Sequence, residues 1–266
     1  MREEQQTPNK RSGLLSRRRL LVGVTGSAAV LAGAAIGGGL ASSIEVRALR
    51  GQSEFDRAAA EIYELQRSQD RETVIALKRK YESPMLGLVR VWDLVEKLAL
   101  CVDPTDRTLY CTNQFIHVQQ ILEGMERDSV TDPELVLAAL VHDLGKVALI
   151  SDEVPEHVVC TTSAVEAGSE GAGLANVLCQ FGHDEIAFTR IKDHVPEAVS
   201  WLTRFHSMEP HTVQLYMDER DSRFYEKYLL FRQYDIGTKS AAALPRIDLN
   251  KYRSIVEEAF PNPILF

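Results

Sequence analysis

The sequence predicts an all-α fold. Beyond residue 53, apolar residues recur at three- and four-residue steps through most of the chain. No run alternates apolar and polar residues as a half-buried strand would, and proline and glycine fall where the periodic segments break. Taken in order, Ala58–Arg67, Arg71–Tyr81 and Leu86–Val102 read as helices, with Pro84 separating the second from the third. Asp103-Pro104-Thr105-Asp106 is a turn. From Phe115, the positions Ile116, Val118, Ile121, Leu122 and Met125 mark an amphipathic helix. Thr131-Asp132-Pro133-Glu134 is a helix start, with proline in the first turn and acids at the positive end of the dipole. Leu135–Val141 is almost wholly apolar, which predicts a buried helix. Residues 161–174 hold Gly168, Gly171 and Gly173 and read as a loop. Helical patterns resume over Leu174–Lys192, Pro196–Phe205 and Asp221–Phe231, and a last short helix is expected near Tyr252–Phe260. No internal repeat is present.

Composition narrows the function classes. Apolar residues make up 45% of the 266 and charged residues 26%, so the chain has the usage of an ordinary globular domain. A net charge of −8 disfavours nucleic acid as a partner. The four cysteines, Cys101, Cys111, Cys160 and Cys179, are widely spaced, which argues against a zinc ribbon or an iron–sulfur site. All seven histidines fall between residues 117 and 211. That clustering points to one histidine-built site.

The first 43 residues stand apart. Residues 1–41 carry six basic groups against two acids, a net of +4, which leaves −12 on the rest. Ser16-Arg17-Arg18-Arg19 precedes a charge-free, Gly- and Ala-rich stretch from Leu20 to Ala41, with Gly39 and Ala41 suited to a cleavage site. Paired arginines before a weakly hydrophobic core resemble a twin-arginine export signal. The stretch is also long enough to serve as an uncleaved anchor. The expectation is therefore an export signal or membrane anchor over 1–43, with cytoplasmic residence as the alternative, and a single catalytic domain over 44–266. Any membrane contact is expected only through residues 20–41, and a monomer is expected.

The chemistry lies in six residues. His142 and Asp143 end the apolar run Leu135–Val141, where two ionisable groups are costly unless paired or metal-bound. Adjacent helical positions point about 100° apart. Such a pair serves two metals more easily than one, with Asp143 between them. Alone, the pair reads more readily as a capped helix end. Company strengthens the metal reading. His117 lies on an apolar helix face, His183 in Gly182-His183-Asp184-Glu185, His206 between Phe205 and Ser207, and Asp235 after the aromatic run Tyr228–Tyr234. Four imidazoles and two carboxylates on five segments are what helical bundles use to build metal sites. Nitrogen and oxygen donors without thiolate suit iron or manganese.

Several motifs occur together and in order: Ile116-His117, His-Asp-Leu-Gly-Lys at 142–146, Gly-Leu-Ala-Asn-Val at 173–177, Gly-His-Asp-Glu at 182–185, Arg-Phe-His-Ser at 204–207, and Asp235 followed by Thr238-Lys239. This set resembles the myo-inositol oxygenases from about Val46 to the C-terminus. The resemblance implies an HD-domain-like helical bundle with a buried dinuclear iron site, mixed-valent Fe(II)/Fe(III), and O2 as co-substrate. It implies one iron on His117, His142, Asp143 and Asp235. The other would take His183 and His206 and share Asp143. The implied reaction is O2-dependent ring cleavage of a cyclic polyol, myo-inositol to D-glucuronate or a close variant. Lys146 and Asp143 are the implied catalytic residues, and Arg47, Lys146, Ser207 and Lys239 the implied substrate contacts. All electrons would come from the substrate, in keeping with the lack of a glycine-rich dinucleotide fingerprint.

The match fails at one place. The family's substrate-binding Gly-Asp pair is replaced near Thr161-Thr162, and the loop that follows is short. A lost aspartate removes one or two charge-assisted hydrogen bonds, each worth about 1.5–3 kcal/mol. Weaker polyol binding is the expectation, with tightening if Thr162 is changed to Asp. The alternative activity is an HD-type metal-dependent phosphohydrolase.

Overall fold

A computed structural model describes residues 40–109, 112–159 and 162–266, with side chains from Ser53 onward. The chain divides into Met1–Arg47 and Ala48–Phe266, and apart from the first residues of α1 the features below belong to the second unit. The export or anchor reading of residues 1–43 falls on residues that lie, up to Gly39, outside what is described, as do Cys111, Cys160, Thr161 and the side chain of Arg47.

The described residues are mostly helical, as the sequence predicts. In chain order they form α1 (Leu40–Arg67), α2 (Arg71–Lys80), β1 (Leu88–Val89), α3 (Val91–Lys97), α4 (Gln114–Arg127), α5 (Pro133–Val141), β2 (Ala164–Glu166), β3 (Leu178–Cys179), α6 (His183–Ile191), α7 (Glu197–Phe205), α8 (Pro210–Tyr216), α9 (Glu219–Gly237), α10 (Arg253–Ala259) and β4 (Ile264–Leu265). Several 3-10 turns join them, of which Leu144–Ile150 matters most. Among the described residues, no helix is long and apolar enough to cross a membrane.

Local chemistry sets the helix ends. Asp70 caps α2 by accepting from Thr73 N at 2.8 Å, and Lys78, Arg79 and Lys80 close it at the negative end of its dipole. Asn113 caps α4 through Ile116 N, and Asp132 caps α5 ahead of Pro133. Asp218 and Asp221 form a reciprocal capping box on α9. Helix α5 is the axis of the bundle. Every residue from Leu135 to Val141 is buried, and α5 packs against α4, α7, α9 and α10. An all-apolar helix is stable only when surrounded in this way.

Two long helical readings break into pieces. Leu86–Val102 becomes β1, α3 and the 3-10 turn Leu98–Leu100. Gly87 sits at φ +71°, and Leu88–Val89 pairs antiparallel with Leu265 and Ile264 at the C-terminus. Leu174–Lys192 becomes a 3-10 turn over Leu174–Asn176, then β3, then α6, with β3 paired antiparallel to β2 inside the expected loop. These strands span two or three residues, too few for alternation to appear in the sequence. Helix α8 was not evident from periodicity. Helix α9 runs past Phe231 to Gly237, which puts Asp235 in its last turn.

Candidate metal centre

Five elements deliver the six predicted ligands to one buried place. His117 comes from the middle of α4, His142 from the C-cap of α5, and Asp143 from the start of the 3-10 turn Leu144–Ile150. His183 opens α6, His206 caps the C-terminus of α7, and Asp235 sits in the last turn of α9. All six are at most 4% exposed.

The backbone aims three of the imidazoles. A helix end leaves carbonyls without partners. His142 Nδ1 donates to Ala139 O at 3.1 Å, and His206 Nδ1 donates to Thr203 O at 3.0 Å, each three residues back in its own helix. His183 Nδ1 donates to Val158 O at 3.0 Å, the carbonyl that its backbone N–H also reaches at 2.7 Å. With Nδ1 engaged by the backbone, each ring turns its Nε2 inward, the orientation a metal ligand requires. Burial supports the neutral form of His142 by pushing its pKa down to about 3. Burial, followed by the Lys239 charge, lowers that of His117.

Asp143 is shared. Its Oδ1 lies 3.1 Å from His183 Nε2 and 3.8 Å from His206 Nε2, and its Oδ2 lies 3.4 Å from His142 Nε2 and 3.9 Å from His117 Nε2. The donor atoms form two sets with metal-ligand spacing: His117, His142 and Asp143, and Asp143, His183 and His206. Asp235 Oδ1 approaches the first set, 2.9 Å from His117 Nε2 and 3.9 Å from His142 Nε2.

The donor set fits cations. His142 Nε2 and both oxygens of Asp143 are buried without a hydrogen bond. The His142 Nε2 lone pair therefore faces Asp143 Oδ2 at 3.4 Å, acceptor against acceptor. A buried unsatisfied polar group costs about 1–3 kcal/mol, and a charged one more. A positive ion on each side of Asp143 removes that cost.

Two lysines complete the surroundings. Lys146 Nζ lies 3.2 Å from Asp143 Oδ2 and 3.3 Å from Asp103 Oδ2, and it donates to Gln114 Oε1 at 3.1 Å. Burial opposes its charge, but Asp143 and Asp103 overcome this and hold its pKa well above the lysine range. Lys239 Nζ lies 3.3 Å from Asp106 Oδ2 and 3.6 Å from Asp235 Oδ1. Asp143 and Asp235 resist the upward push of burial and stay well below the usual carboxylate range, Asp143 through Lys146 and His142, Asp235 through Lys239 and His117. Ser207 donates to Asp184 Oδ1 at 3.2 Å.

Four residues of this shell escaped sequence reading: Asp103, Asp106, Gln114 and Asp184. The first two flank the turn that was recognised only as a turn, although an acid at each end was a signal. Gln114 lies one helical turn before His117, on the same face. Asp184 follows His183 in the Gly-His-Asp-Glu motif.

The family model described as Myo-inositol oxygenase matches residues 56–168 and 159–266. The chain belongs to the myo-inositol oxygenase family. Inositol oxygenase 4 of Arabidopsis thaliana is 28% identical over 254 residues, covering 79% of each chain. The probable inositol oxygenase of Oryza sativa subsp. japonica is 29% identical over 214 residues, 64% of this chain and 68% of its own. The inositol oxygenase of Danio rerio is 28% identical over 208 residues, covering 64% and 74%. Membership of this family makes the chain an oxygenase and disfavours the phosphohydrolase alternative.

Proposed function

We propose that this chain opens the ring of a cyclic polyol with O2, turning myo-inositol or a close variant into a sugar acid, at two iron ions. One iron takes His117, His142, Asp143 and Asp235, and the other takes Asp143, His183 and His206. The observation that carries this reading is the shared carboxylate: the two oxygens of Asp143 each face a different pair of imidazoles. When bound, a mixed-valent pair of irons supplies the electron transfer to and from O2 that protein side chains cannot perform.

The side chains do the rest. Lys146 is a buried ammonium beside Asp143 and stabilises negative charge that develops on a substrate oxygen. Lys239 does the same from the Asp235 side. Ser207 offers its oxygen to a substrate hydroxyl, since its proton already goes to Asp184. Arg47 is proposed as a further substrate contact from the resemblance alone. Burial of the whole cluster excludes water and strengthens each charge interaction. The N-terminal segment is proposed as an export signal or anchor, which changing both Arg17 and Arg18 to Lys tests by cell fractionation.

The deciding experiment is oxygen uptake by the iron-loaded chain with myo-inositol, with analysis for glucuronate. Uptake with a ring-opened acid as product supports the reading. No uptake with any cyclic polyol, together with hydrolysis of phosphate esters, overturns it.

A further inference from the structure

Gln114 sits beside Lys146 with half of its amide unused. Lys146 Nζ donates to Gln114 Oε1 at 3.1 Å and lies 3.2 Å from Asp143 Oδ2 and 3.3 Å from Asp103 Oδ2. An ammonium carries donors and no acceptor, which settles the orientation of the Gln114 amide. Its oxygen faces the lysine, and its NH2 group is the other end. Gln114 is 0% exposed, and its Nε2 is buried without a hydrogen-bond partner among the described residues. The acids nearby do not take it. Asp143 and Asp103 each turn an oxygen to Lys146, and the other Asp103 oxygen accepts from the backbone N–H and the hydroxyl of Thr105. We propose that Gln114 is a specificity-determining substrate contact, whose amide N–H donates to one oxygen of the cyclic polyol on the Lys146 side of the site. This rests on the polyol reading above.

The local structure makes the amide a fixed donor. Gln114 is the first residue of α4, one turn before His117, and Asn113 caps the helix immediately ahead of it. Its backbone N–H is spent on Cys101 O at 2.9 Å. The side chain therefore leaves a rigid point of the fold, and the Lys146 ammonium holds its far end. A buried N–H without an acceptor is costly, and a polyol oxygen in that place removes the cost. A ring carbon carrying only hydrogen does not. A site built to hydrogen-bond a hydroxyl discriminates steeply against an analogue that lacks it, because the protein's own polar group is then left unpaired. Gln114 would read the presence of one hydroxyl in this way, as a neutral donor beside the charged one of Lys146.

The test is anaerobic titration calorimetry of the iron-loaded full chain with myo-inositol and with each of its monodeoxy analogues. Folding is checked by circular dichroism and iron by elemental analysis. Gln114→Met keeps the length of the side chain and removes both polar atoms of the amide. It is expected to bind myo-inositol about tenfold more weakly with unchanged iron content. Wild type should lose a similar factor with one analogue, the one lacking the hydroxyl that Gln114 meets. Gln114→Met should lose nothing further with that analogue, the non-additivity of a direct contact. In steady-state oxygen uptake the variant should raise KM with little change in kcat. An equal loss for every analogue makes Gln114 a positioning residue for Lys146 and overturns the substrate contact, as does wild-type affinity in Gln114→Met. Should Gln114→Met not fold, Gln114→Asn, which keeps the amide and shortens its reach, decides by the same comparison: indifference to one hydroxyl supports the assignment, and wild-type discrimination overturns it. A wild type that binds no cyclic polyol overturns the proposed function itself, a distinct outcome.

Discussion

Gly145 lies against the backbone of His183 so closely that a Cβ at 145 would be 2.1 Å from the His183 carbonyl oxygen and 2.7 Å from its Cα. This contact brings the turn carrying Asp143 and Lys146 against the start of α6. It sets how far Asp143 stands from the second pair of histidines. The glycine is needed for space, because its backbone conformation is open to other residues.

Gly145→Ala is therefore expected to push Asp143 and His183 apart. The obstacle is backbone, which cannot rotate away, so the cost should be at the upper end for overpacking, about 3 kcal/mol. Denaturant unfolding with the metal removed measures the fold's share, and iron content measures the site's. An alanine variant with wild-type stability and two irons would contradict the geometry.

Asp143 and His206 should behave differently when removed. Asp143 faces all four imidazoles, whereas His206 belongs to one set of donors. Asp143→Ala should abolish both ions, and His206→Ala should lower the content towards one. Elemental analysis of the purified variants separates the two results, and two irons in Asp143→Ala would rule out the shared role.

The six clustered residues were legible in the sequence through their company, four histidines and two aspartates at helix ends and on helix faces. A histidine and an aspartate end the apolar run to Val141, and a histidine lies among Ile116, Val118 and Ile121, polar groups set within apolar surroundings. Their second contacts were not legible, since these depend on distance in space. Asp106 meets Lys239 across 133 positions and Gln114 meets Lys146 across 32, at 3.3 and 3.1 Å. The long helices were legible through their periodicity. The breaks at Gly87 and Val177 were not, because β1 and β3 owe their existence to partners elsewhere in the chain.

Glu153 gives the fold a pH dependence away from the metals. Burial raises its pKa, but hydrogen bonds from Lys80, Tyr81 and His157 outweigh this and bring it down to about 2, against an ordinary 4.5. The folded value is the lower one, so the stabilisation is complete above about pH 4.5. It fades as pH falls from there towards 2. The stability deficit of Glu153→Gln relative to wild type, followed from pH 5 down to pH 2, should therefore start at about a kcal/mol or two. It should shrink on acidification. Urea titrations of both proteins across that range provide the check, and a deficit that grows in acid would mean the sign is wrong.

The replacement at Thr162 was expected to leave polyol binding short of an aspartate, so that Thr162→Asp would tighten it. The structure reverses that expectation. Thr162 is buried, and its hydroxyl donates to Asp184 Oδ2. An aspartate at 162 would set one carboxylate against another and take away a donor. Asp184 is held to about 2 against the upward push of burial by His183, His206 and the Thr162 hydroxyl, so it resists taking up the proton that would relieve the clash. Two like charges in contact at low dielectric interact unfavourably by several kcal/mol. Thr162→Asp should therefore raise KM for myo-inositol and lower stability. Thr162→Ser, which keeps the donor, should remain close to wild type. Steady-state oxygen uptake and thermal melts on the two variants distinguish the outcomes. A lower KM in Thr162→Asp with unchanged melting would show that residue 162 faces the substrate and that its contact with Asp184 is incidental.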